Sequence, residues 1–243
     1  MKLEQLRNEL APGGVLRVAI NLSNFLLVTG KSPTGEPEGV SPDMGREIAN
    51  RIGVPVEYVL FDTPGAVADA ALDDAWDIAN IGAEPERAKT IAFTSAYVEI
   101  ESTYLVPAGS PIRSIDEVDA PGNRIAVYAR AAYGLWLIDH IRHAELVKTD
   151  GMDASFDVFL EQGLEALAGL RPRLIEDVEK LPGARILDGQ FSAVQQAIGT
   201  RPERQLATAF LQDFVDQAKS SGFVASLIEK HGVTGRLTVA PSA

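Results

Sequence analysis

Short apolar strands alternating with amphipathic helices constrain this chain more than any other feature. Leu16, Val18 and Ile20 alternate with Arg17 and Ala19, the two-residue period of a sheet strand. Residues 21–39 carry no sustained apolar period and turn rich in Gly and Pro, which reads as a loop. Ser41-Pro42-Asp43 then opens a helix, with Ser41 as the expected capping hydroxyl, proline at the first helical position and an acid at the positive end of the dipole. Met44, Ile48 and Ile52 repeat four apart and Gly53 closes the element. Val56, Tyr58 and Leu60 form a second strand, Thr63-Pro64 opens a second helix, and Trp76-Asp77-Ile78-Ala79 makes a third strand. Strand, helix, strand, helix, strand in that order implies a mostly parallel sheet with helices packed on it.

Further along, 104–106 are apolar and end at Pro107, with a break over 108–111 that reads as a first crossover between lobes. A second α/β set follows, with a strand over 124–128, helices over 131–144 and 156–162, and a strand over 164–168. A second crossover is expected at 187–192. Ala207, Phe210, Leu211, Phe214, Val215 and Ala218 then repeat at helical spacing, and Val224, Leu227 and Ile228 mark a last short helix. No internal repeat or low-complexity segment is visible in the sequence.

A chain of 243 residues that is 46% hydrophobic buries a substantial core. Its net charge of −12 and the lack of any basic run argue against nucleic acid or an anionic membrane as partner. An anionic small ligand remains compatible, because local arginines dominate the field of an enclosed site. There is no cysteine, so disulfides, thiolate metal sites and cysteine nucleophiles are excluded. The first ten residues form a charged helical pattern rather than a signal peptide, and no segment approaches a transmembrane span.

The most specific local feature is residues 76–97, WDIANIGAEPERAKTIAFTSAY. Gly82 permits close backbone approach and Pro85 suits a first helical turn, which would set Arg87 beside unpaired backbone donors. A guanidinium there offers a bidentate fork to a carboxylate. The same residues also allow Arg87 to pair with Glu84 one turn away.

This segment resembles the amino-acid-binding family 3 of the type 2 periplasmic solute-binding proteins of ABC transporters. The resemblance runs through Asp77, Gly82, Glu86-Arg87 and Phe93-Thr94-Ser95-Ala96-Tyr97, is supported by Gly39 and Asp43 before the first inner helix, and extends over about 16–232. It implies a two-lobed α/β fold with two mostly parallel sheets and a double-crossover hinge. The expected lobes are 1–106 with 190–243, and 107–189. It implies capture of a small carboxylate-bearing ligand by hinge closure, an ABC permease as partner, a monomer, and no cofactor, metal or catalytic residue. By the same resemblance Arg87 would grip the carboxylate beside Gly82, Ala83 and Glu84, with Asn24, Phe25 and Tyr97 lining the pocket and Arg130, Ala131, Tyr133 and Arg171 contributing from the second lobe. Export is implied by the family, whereas the start as written suggests a cytoplasmic member.

Departures from the family pattern alter this pocket. Gly82, Ala83 and Glu84 stand where hydroxyl side chains are usual, and Tyr128-Ala129-Arg130-Ala131-Ala132-Tyr133 replaces a Gly-Thr or Gly-Ser turn. Leu170-Arg171 falls where an aspartate for an α-amino group is expected, so the ligand either lacks that amine or carries a second acid. The residues alone leave core packing open for Phe25, a solvent role for Arg130, a surface role for Arg171 and Arg173, and ligand contact for Glu99 and Glu101. His140 and His143 one helical turn apart, with His231 ending the last helix, lack the acid cluster of a metal or catalytic site. The alternatives carried forward are a cyclohexadienyl or arogenate dehydratase-like enzyme on the same fold, with Glu161 and Glu165 as the nearest acids, and a cytoplasmic ligand-sensing module.

Overall fold

The computed structural model describes residues 2–241. In chain order the elements are α1 (Lys2–Leu10), β1 (Leu16–Asn21), the two-residue strands β2 (Gly30–Lys31) and β3 (Pro37–Glu38), α2 (Val40–Ile52), β4 (Val56–Phe61), α3 (Pro64–Asp69), β5 (Ile78–Gly82) and β6 (Ala92–Phe93). The long strand β7 (Val98–Val106) leads into β8 (Arg124–Tyr128), α4 (Ala132–His140), β9 (Glu145–Thr149), α5 (Met152–Glu161), β10 (Ala166–Leu170), α6 (Arg171–Val178) and β11 (Arg185–Ile186). A second long strand, β12 (Ser192–Thr200), precedes α7 (Gln205–Ser220), α8 (Phe223–Lys230) and β13 (Thr238–Val239). Two compact units result: the chain up to Glu99 together with the chain from Gln195, and Ile100–Val194. Both changes of unit fall inside the long strands β7 and β12.

In the first unit β1 lies between β4 and β5, parallel to both, and β12 joins β5 antiparallel through Gln196 to Gly199. One face of this sheet carries Ala19, Ala79 and Ile81 against Val67 and Ala71, with Trp76 and Ile91 completing a closed apolar cluster. Trp76 is 1% exposed and its indole N–H donates to the Val67 carbonyl at 3.0 Å, so the ring is buried without stranding its one polar group. α2 covers the other face, and Gly45 sits so close to Val18 that a methyl group there would meet it at 2.8 Å.

In the second unit β8 lies between β9 and β10, parallel to both, while β7 is antiparallel to β10 and to β11. Leu105, Ala126, Phe159, Leu164, Leu167 and Leu174 form its core under α5 and α6.

Several local expectations need correction. α2 begins at Val40 with Gly39 as its cap and no side-chain cap bond, because the Ser41 hydroxyl is committed elsewhere, 3.1 Å from the Tyr97 hydroxyl. Gly39, at φ 152°, passes so close to the first loop that a Cβ would stand 2.1 Å from the Leu27 carbonyl oxygen. α4 stops at His140 rather than continuing to 144, since the Asp119 carboxylate takes the backbone N–H groups of Arg142, His143 and Ala144 and draws that stretch out of the helix. The strand β9 and the helix α6 have no counterpart among the elements expected from the sequence, and β5 starts two residues later than Trp76.

Candidate functional site

The parallel strands β4, β1 and β5 of the first unit all end at one edge, and the candidate residues of that unit stand there. In open α/β sheets ligands bind outside the carboxyl ends of such strands. At the end of β1, Asn24 is buried and its Oδ1 accepts from the backbone N–H groups of Leu26 and Leu27, each at 3.3 Å, so its side chain folds the first loop. Phe25, half-buried, presents its ring to the Arg236 guanidinium, whose carbon lies 5.3 Å from the ring centroid.

At the end of β5, Gly82 is buried and Ala83 and Glu84 are half-buried. The Ala83 N–H donates to the Gln195 carbonyl at 2.8 Å, which pins the turn to β12. Arg87 is 5% exposed, and its Nη1 donates to the Gly82 carbonyl at 2.8 Å. The helix start expected here is one short 3₁₀ turn, Arg87–Lys89, because the chain must return to β6 by Ala92. A turn that brief supplies no helix dipole, so the guanidinium itself carries the positive charge.

Tyr97, expected as a pocket wall, is a core residue. It has no exposed surface, burial pushes its phenol well above the usual range, and its N–H donates to the Gln196 carbonyl. Asp43, in the first turn of α2, accepts from Lys230 at 2.6 Å and His231 at 2.8 Å. Burial pushes this carboxyl up, but the hydrogen bonds from Lys230 and His231 outweigh it and hold the group below its ordinary value. The last residue of α8 and the residue that caps it thereby tie that helix to α2. Nothing in the local pattern of Asp43 announces partners 187 and 188 residues away.

The second unit repeats the arrangement by itself. β8, β9 and β10 end together, and α4, α5 and α6 start there from Ala131, Gly151 and Leu170, none of which makes a side-chain cap bond. Ala131 therefore brings uncapped backbone donors to this edge, with Arg130 exposed just before it. The close fit of α4 to β8 requires Gly134, where a Cβ would lie 2.1 Å from the Tyr128 carbonyl oxygen. Tyr133 is only 2% exposed and faces inward, lining a cavity of about 10 Å³ with Ser155, Arg173 and Asp177. Its phenol is pushed up by burial.

Arg171 opens α6. Its Nε lies 2.6 Å from Glu101 Oε2 and its Nη2 donates to the Gly189 carbonyl, which also accepts from Thr103 Oγ1 at 3.0 Å. The residue standing in the expected aspartate position is thus a cation already joined to an acid on β7. Glu99, the other acid considered, accepts from Gln195 Nε2 at 2.8 Å. Glu165 accepts from Arg124 through backbone N–H, Nε and Nη2, and Glu161 is exposed.

His140 stacks on Trp136 with ring centroids 3.8 Å apart. His143 lies outside α4, in the loop held by Asp119. Among the described residues no group of three His, Asp or Glu is placed to hold a metal ion, and no helix is long and apolar enough to cross a membrane.

Residues 16–234 match the family of bacterial extracellular solute-binding proteins, family 3. The chain belongs to this family. Among solved structures it is similar to a variant of ArgBP from T. maritima, at 21% identity and a TM-score of 0.73, covering 96% of this chain and 99% of that one. It is similar also to a putative binding component of an ABC transporter from Wolinella succinogenes complexed with lysine, at 18% identity and TM-score 0.73, over 89% and 95% of the two chains. A third is an ancestral amino-acid-binding protein described as a precursor of cyclohexadienyl dehydratase, at 20% identity and TM-score 0.72, over 95% and 99%. No curated protein sequence matches the chain. At these identities the likeness establishes the fold, a two-lobed type 2 periplasmic-binding-protein architecture. As a family 3 member, the protein is a solute-binding protein.

Proposed function

We propose that this protein captures a small carboxylate-bearing molecule, amino-acid-like or an organic acid, by closing its lobes about the strands β7 and β12, and delivers it to an ABC-type permease. The observation that carries this reading is Arg87, a guanidinium 5% exposed at the carboxyl end of β5 and oriented by the Gly82 carbonyl. A cation so placed forms strong bidentate hydrogen bonds to a carboxylate at small conformational cost. Gly82, Ala83 and Glu84 frame it, and Asn24 and Phe25 order the neighbouring loop. Ala131, Arg130 and Arg171 are the second lobe's contribution. Closure follows if the ligand binds the closed form more tightly than the open one.

Related solved binding proteins that hold lysine or L-arginine support an amino-acid-like ligand. Binding without turnover is favoured over a dehydratase because Glu165 is engaged by Arg124 and the aspartate position is taken by Arg171. Thermal-shift titration with L-arginine, L-lysine, dicarboxylates and aromatic acids tests the reading. A ligand at about one hundred times its Kd adds roughly 2.7 kcal/mol to stability. Arg87→Ala is expected to abolish every carboxylate-induced shift while the ligand-free protein still melts cooperatively, and an unchanged response would overturn the assignment. Turnover of prephenate or arogenate would favour the enzyme.

A further inference from the structure

Asn80 is out of place for its position. It sits in the middle of β5, a strand hydrogen-bonded on both sides, paired with Ile20 of β1 and Ile198 of β12. Asparagine is disfavoured in such strands, where branched apolar side chains fit best. Ile20, Ile78 and Ile198 are fully buried around it, and Asn80 itself is 2% exposed. Yet neither its Nδ2 nor its Oδ1 has a hydrogen-bond partner among the described residues. Buried amides are almost always paired, and one left unpaired is costly compared with an apolar side chain of similar size. Local rules broken without compensation point to functional positions.

Its location supplies the function. Side chains alternate along a strand, so Asn80 shares its face with Gly82, the residue whose carbonyl orients Arg87. Two strand steps, roughly 7 Å, separate the two backbone positions, about the length of a small acid with a second polar group.

We propose that Asn80 is a specificity-determining residue of the binding site, whose carboxamide pairs with an uncharged group of the ligand that both donates and accepts, a hydroxyl or carboxamide. The assignment rests on the reading that Arg87 binds the ligand carboxylate. A charged group would be disfavoured at this place, since three isoleucines and a neutral amide offer it no counter-charge. This selects acids carrying a neutral hydrogen-bonding function over dicarboxylates and diamino acids of the same length.

The test uses the full chain and matched pairs of carboxylates, L-glutamine against L-glutamate and lactate against propionate, titrated by calorimetry and thermal shift. Wild type is expected to prefer the first member of at least one pair by about tenfold or more. In Asn80→Leu that ratio falls below about threefold while carboxylate binding persists, because the group that read the difference is gone. Ligand-free Asn80→Leu is expected to melt no lower than wild type, and Asn80→Val controls for the shape of the replacement.

Three results overturn the proposal: no discrimination by wild type, an unchanged ratio in Asn80→Leu, or a ligand-free melting point lowered by more than about 4 °C in both variants, which would mark an internal water as the partner. Arg87→Ala distinguishes the two levels. Carboxylate binding that survives it refutes the Arg87 reading itself, whereas binding lost there with an unchanged ratio in Asn80→Leu refutes only Asn80.

Discussion

The two units carry the same clasp at the starts of their parallel strands, and they bury it to different depths. In the first, Arg17 on β1 donates to Asp77, just ahead of β5, through its backbone N–H at 2.9 Å, Nε at 3.1 Å and Nη2 at 2.9 Å. In the second, Arg124 on β8 donates to Glu165, just ahead of β10, through backbone N–H at 2.8 Å, Nε at 3.0 Å and Nη2 at 2.9 Å. The carboxylate residue's own N–H returns to the arginine carbonyl in both. Each clasp sets the register of two parallel strands that a helix must bridge.

The difference lies around the clasp. Asp77 is fully buried and gains a second guanidinium, Arg204 at the head of α7, while Asp74 accepts from Arg17, Arg201 and Arg204. Glu165 keeps about a third of its side chain in solvent, 32%, and among the described residues its guanidinium partner is Arg124. The same bonds thus serve a buried charge network in one unit and a screened surface pair in the other. A buried pair costs much more to break than an exposed one, whatever its net worth when intact.

The largest expected effect comes from Asp77→Asn, which removes the buried carboxylate and leaves Arg17 and Arg204 only the exposed Asp74; it should cost about 3–5 kcal/mol, read as a lower denaturant midpoint or loss of soluble protein. A loss no larger than that of the exposed pair would show that the two clasps are energetically alike. Arg204→Met leaves Asp77 with Arg17 and so converts the first clasp toward the second, and an intermediate cost of about 1.5–3 kcal/mol is expected in the same measurement. Glu165→Gln should lower the melting temperature by less than about 3 °C. A larger fall would mean that strand register in the second unit depends on this charge.

The smallest effect is a pH dependence. The hydrogen bond from Arg124 is the main reason the Glu165 carboxyl is held below its ordinary value. A depressed acid contributes stability that is present above its unfolded value and lost as pH falls through its folded one. Melting curves of wild type and Glu165→Gln should therefore converge on the acid side of the usual glutamate range and separate above it. Asp74, lowered chiefly by its bond from Arg201, acts in the same direction and sharpens the acid loss in the first unit.

Much of the architecture was legible because it rests on local rules. Met44, Ile48 and Ile52 closed by Gly53, and Thr63 accepting from the Ala66 N–H at 3.1 Å, are short-range patterns that the structure repeats. Misreadings arose where a distant group outcompeted a local one. Ser41 was available as a cap until Tyr97 came within reach, and α4 had the composition to run on until Asp119 claimed three of the N–H groups beyond it. β9 is not legible in the sequence because Glu145 to Thr149 have a pairing partner only once β8 is beside them. The repeated clasp was invisible as a sequence repeat, since it needs only one arginine and one acid at two separated points.

The sequence by itself determined the alternation of strands and helices, the family through residues 76–97, and the presence of Arg87 in a chain without hydroxyl side chains at 82–84. Periodicity and spacing carry such information because they are properties of neighbours along the chain. Tertiary structure alone decided which charges are occupied and which polar groups are left over. Asp77 is filled from α7, Arg171 is joined to Glu101, Tyr97 and Tyr133 are drawn into the cores, and the Asn80 amide is left unpaired beneath Gly82. Burial and partnership depend on residues tens to hundreds of positions apart, and only folding brings them into contact.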